Sequence, residues 1–93
     1  MVYLSRQGKE KEKKDMEAVI AIAIRTAVRE QVVQAYKEWK EQNITAEEFS
    51  TWMYDIRITS LAIVGNMAYL GILGEDDDTR LETFIRSLTE VYF

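Results

Sequence analysis

The chain has 93 residues, 47% apolar and 30% charged, with no cysteine, histidine or proline; that describes one globular domain, well clear of the disordered regime. Without cysteine or histidine there is no disulfide framework, no thiolate or imidazole metal site, no thiol nucleophile and no group that titrates unperturbed near neutrality. A net charge of −4 argues against a large nucleic-acid footprint, although residues 1–15 carry five basic and three acidic side chains and residues 75–93 two basic and six acidic.

The N-terminus is polar and then heavily charged and lacks the apolar core of a signal peptide, so the expected location is cytoplasmic. Residues 1–14 are expected to form a charged, flexible arm, with a single helical domain over 15–93. The run Lys9 to Lys14 consists of strong helix formers and reads as a solvated extension of the first helix, with Asp15 as its cap if the folded helix begins there. Arg6, Lys9, Lys11, Lys13 and Lys14 are the candidate partner or nucleic-acid arm. Their interruption by glutamates favours solvation or an acidic protein partner over phosphate.

Asp15 to Asn43 contains neither glycine nor proline and is expected to be one long helix. Val28, Val32, Ala35 and Trp39 make a stripe at helical spacing, extended backwards by Ile20, Ile24 and Ala27. Val19, Ile22 and Val33 lie well off that stripe, so the helix is apolar on two sides. Arg25 and Arg29 are spaced to grip a dicarboxylate, but without supporting acids and amides, ion pairs with Glu30, Asp55 or a neighbouring chain are the simpler expectation. Tyr36, Trp39 and Trp52 are expected to pack together at the closed end of a hairpin.

Asn43 is expected to end the first helix in the left-handed conformation. Thr45 and Glu48 form a capping-box sequence, and Ile44 precedes it as a hydrophobic staple onto Phe49. The second helix is expected from Ala46 to about Leu73, with Gly74 as its stop. Phe49, Met53, Ile56, Ser60, Ile63, Met67 and Leu70 form its bulky, inward stripe. Tyr54, Ile58, Leu61, Gly65, Ala68 and Ile72 form a second stripe whose small centre admits another helix. Ile58 to Gly74 is uncharged, but at 17 residues it falls short of the ~20 a membrane span needs, so no membrane contact is expected.

Glu75 to Asp78 is expected to open a short third helix, acids at the positive end of its dipole, with Leu81, Phe84, Ile85, Leu88 and Tyr92 as its apolar face and Val91 beside them. The four acids lack calcium-loop spacing, and a groove-reading role for this helix is opposed by its acids.

The fold class is therefore all-α: a long antiparallel helical hairpin plus a short C-terminal helix, forming a helical bundle by self-association. Its expected oligomer interface comprises Val19, Ile22, Val33, Ile58, Leu61, Gly65, Ala68 and Ile72. The expected function is a non-enzymatic helical protein–protein interaction module (a small adaptor, regulator or structural subunit) acting as a homodimer or higher homo-oligomer with a protein partner. The alternative is a nucleic-acid-associated regulator using the basic N-terminal arm. No catalytic residue, metal or cofactor is expected.

Overall fold

The computed structural model describes the backbone of residues 2–91 and the side chains of residues 12–91. Three helices, α1 (Val2–Lys40), α2 (Ala46–Tyr69) and α3 (Glu75–Leu88), pack each against the other two. The 39 residues of α1 span about 58 Å at 1.5 Å per residue, close to the 62 Å long axis of the molecule. The 24 residues of α2 span only about 36 Å, so α1 projects past the body at its N-terminal end.

Asp15 is interior to α1 and caps nothing, because the Lys–Glu run before it is itself strongly helix-forming. The other end of α1 also differs from expectation. Gln42, with φ 63°, takes the left-handed position expected of Asn43. The Asn43 N–H then reaches the Glu38 carbonyl at 2.9 Å and the Gln42 N–H the Trp39 carbonyl at 3.0 Å, the paired bonds of a Schellman closure. Asn43 stands one residue beyond and donates its side-chain amide to the Glu38 carboxylate at 2.9 Å.

The capping box that opens α2 forms as its residues require. The Glu48 N–H donates to Thr45 Oγ1 at 3.1 Å, and the Thr45 N–H donates to Glu48 Oε1 at 3.2 Å. Thr45→Ala is expected to lower stability by about 1 kcal/mol, measured by urea denaturation. An unchanged midpoint would mean that the start of α2 is fixed by packing alone.

α2 ends four residues before Leu73, by a second Schellman closure with Gly71 (φ 74°) in the left-handed position and the Ile72 N–H on the Met67 carbonyl at 2.8 Å. Gly71, not Gly74, is therefore the stop. Gly74 instead precedes α3 as its cap in extended conformation, without a side-chain bond, and the acids of Glu75–Asp78 occupy the first turn, as expected.

The core runs along the shared faces of all three helices. From α1 it takes Ala21, Val28, Val32 and Ala35, with Ile20, Ile24 and Trp39 partly buried against them. Ala21 replaces Ala27, which faces outward, since 21 lies two turns directly below Val28. From α2 the buried residues are Phe49, Met53, Ile56, Ser60 and Val64, with Met67 partly buried. The stripe expected through Ile63 and Leu70 is corrected here: those two are 45% and 68% exposed. The reason is the period. Phe49 to Met67 through Val64 averages the 3.6 residues per turn of a straight helix, whereas the route through Ile63 to Leu70 averages 3.5 and drifts off the core face. From α3, Leu81 and Ile85 are fully buried, and Phe84, Leu88 and Val91 pack partly buried beside them. Tyr92, expected on the same face, lies outside the described residues.

Candidate functional site

Large apolar side chains on the outside of the bundle are the feature from which function can be argued. On α1, Val19, Ile22 and Val33 are 60–66% exposed, and Met16 is exposed beside them. At about 100° per residue they occupy the side of α1 opposite Ala21, Val28 and Val32. On α2, Tyr54 and Ile58 are exposed, Gly65 is exposed, and Leu61 and Ala68 are half-buried, Leu61 leaning into the core. Ile72 sits in the turn after α2 rather than on its helical stripe, where with Met16, Ile20 and Gly71 it lines a shallow, largely apolar hollow of about 310 Å³. Sequence reasoning did not single out Met16 and Tyr69 as surface features, and among the described residues Tyr69 is the most exposed of the large apolar side chains at 89%. Met16 was legible, because it lies only about 60° around the helix from Val19. Tyr69 was not, since its exposure follows from the chain turning away at Gly71.

An added Cβ at Gly65 would meet nothing within 4 Å. At Gly65, therefore, no other helix of the same chain makes the close approach expected there.

The aromatic cluster forms around a ring that the sequence reading assigned elsewhere. Phe49 stacks on Trp39 with centroids 4.7 Å apart and meets Tyr36 edge-on at 4.9 Å. Phe49, rather than Trp52, is the centre of the cluster, because its position in the first turns of α2 faces α1. Trp52 lies a turn further round, lining a surface depression with Ile44, Glu47, Glu48, Thr51 and Asp55.

Two arginines make contacts between the helices of the chain. Arg29 places its guanidinium carbon 5.7 Å from the centroid of the Phe84 ring on α3, a cation–π contact within the chain where pairing with Glu30, Asp55 or a neighbouring chain was expected. Arg57 reaches from α2 to the end of α3, with Nε donating to Thr89 Oγ1 at 2.9 Å and Nη2 to the Arg86 carbonyl at 3.4 Å. Buried Thr89 donates its own hydroxyl hydrogen bond to the Ile85 carbonyl at 2.6 Å. A cation on the terminal carbonyls of α3 complements the negative end of its dipole, so Arg57 has an architectural role that the sequence alone did not reveal.

Glu75, Asp76 and Asp77 share a surface depression with Lys14, Glu17 and Arg80, so cations of the chain stand among the acids. Among the described residues no group of three acidic side chains is arranged to hold a metal ion, and no helix is long and apolar enough to cross a membrane. Of the basic arm, Lys13 and Lys14 are exposed on α1, while the side chains of Arg6, Lys9 and Lys11 lie outside the described residues. No protein-family model, curated protein or solved structure matches the chain.

Proposed function

We propose that this chain is a non-enzymatic helical interaction module, a small adaptor, regulator or structural subunit, that works as a homo-oligomer built on an antiparallel α1–α2 hairpin. The observation that supports the reading is the exposure of Val19, Ile22, Val33, Tyr54 and Ile58 on helices whose other faces are already buried. Large apolar side chains left exposed on two helices of a small domain are material for an interaction surface, and burying them contributes roughly 25 cal/mol per Å² removed from water. The α2 face carries the small residues Gly65 and Ala68 in its last two turns, suited to close approach of a helix from another chain.

Solution mass across concentration tests the oligomer, and position 65 tests the face. In an isolated chain Gly65→Leu fills open space and removes a helix-weakening glycine, which raises stability by about 0.5–1 kcal/mol. Within a close helix–helix interface the same change overpacks and costs about 1–3 kcal/mol. The expected result is a destabilised, less associated leucine variant. A monomeric mass at high micromolar concentration, with a concentration-independent melting temperature, would remove the reading.

A further inference from the structure

The outer face of α1 carries its own instructions for how a second copy would lie on it. Val19, Ile22, Val33 and Tyr36 are all exposed and fall on one 3–4 spacing, the seam geometry of paired helices. Thr26 and Arg29 occupy the two intervening positions. The Arg29 guanidinium is drawn aside over Phe84, which keeps its charge off the middle of the seam. The same spacing reaches exposed Asp15 at one end and exposed Lys40 at the other, with Glu12 and Lys37, both exposed, beside them. Among the described side chains, Lys13, Lys14, Glu17 and Glu38 lie about 100° or more round the helix from this line, while exposed Glu30 flanks its middle as closely as Lys37 flanks its end, so the described stripe is net acidic at its N-terminal end and net basic at its C-terminal end.

Resting on the oligomer reading above, we propose that a second copy of this chain covers this face, with the two α1 helices antiparallel about a two-fold axis. A parallel pair sets Asp15 against Asp15 and Lys40 against Lys40, and like charges in register oppose association. The antiparallel pair sets each Asp15 opposite the partner copy's Lys40. In that register Val19 meets the partner copy's Tyr36, and Ile22 meets its Val33. Each contact occurs twice, as an isologous interface requires. Tyr36 is suited to this place because its ring is already held by Trp39 and Phe49, which reduces the entropy lost on docking. The terminal charges select the orientation, while the apolar pairs supply the attraction.

The chain has no cysteine, so disulfide trapping at introduced positions is unambiguous. Ile22→Cys and Val33→Cys are made separately on the full chain and oxidised alone and as an equimolar mixture. The mixture is expected to form a covalent dimer of one variant with the other. Neither should cross-link alone, because an 11-residue offset along the helix is about 16 Å, far beyond disulfide reach. Asp15→Lys and Lys40→Glu are each expected to weaken the dimer about tenfold, with the double swap restoring it. A dimer in which each cysteine variant cross-links to itself would establish a parallel pair. A dimer that traps in no combination and ignores the charge variants would place the interface on another face. Either result overturns this proposal and leaves the oligomer reading standing, whereas a monomeric mass for the unmodified chain at every concentration overturns both.

Discussion

Replacing Phe49 with alanine is expected to cost about 3–5 kcal/mol, a large share of the stability of a domain this size. Phe49 is 1% exposed, in the first turns of α2, and its ring is flanked by Trp39 and Tyr36. Its removal leaves a void that two rings anchored on α1 cannot readily collapse into, so the cavity cost adds to the lost transfer energy. The aromatic pairs themselves add about 0.5–1.5 kcal/mol each beyond area burial. Denaturant unfolding followed by both far-ultraviolet dichroism and the fluorescence of Trp39 and Trp52 measures the loss. A loss under 1 kcal/mol would mean that the α1–α2 contact is held elsewhere.

Leu81→Ala is expected to cost about 2–5 kcal/mol. Leu81 is fully buried where α3 meets the other two helices, and Ile85 lies one turn further along the same face. α3 has only 14 residues, fewer than an isolated helix needs to persist in water, so its structure depends on that docking. Arg57 and Thr89 tie its C-terminal end to α2, which makes detachment of α3 alone costly. The variant should therefore unfold in a single transition at lower denaturant, with all probes coincident. A separate early loss of about a sixth of the helical signal, with the main transition unmoved, would show α3 to be an independent flap.

The local signals in the chain proved sufficient for the helices themselves. Thr45 and Glu48 satisfy each other's backbone donors through contacts three residues apart, and the acids after Gly74 interact with a dipole that begins beside them. Effects confined to one turn can be read from one turn of sequence. The two apolar sides of α1 were legible for the same reason, because the periodicity of a helix without glycine or proline after Gly8 maps directly onto direction in space.

The tertiary structure decided which of several apolar routes is buried. Val64 instead of Ile63, and Ala21 instead of Ala27, are choices between neighbouring residues that differ by about 100°; only the placement of the other two helices settles them. Phe49, where Trp52 was expected, packs with Trp39 and Tyr36, and Arg29 lies over Phe84, because Trp39–Phe49 and Arg29–Phe84 are 10 and 55 residues apart in sequence and propensity carries no information at that range. At the end of α1 the left-handed position falls on Gln42 although Asn43 is the residue better suited to it, whereas at the end of α2 it falls on a glycine, Gly71, three residues before Gly74; the choice between neighbouring stops is made by where the packed faces end.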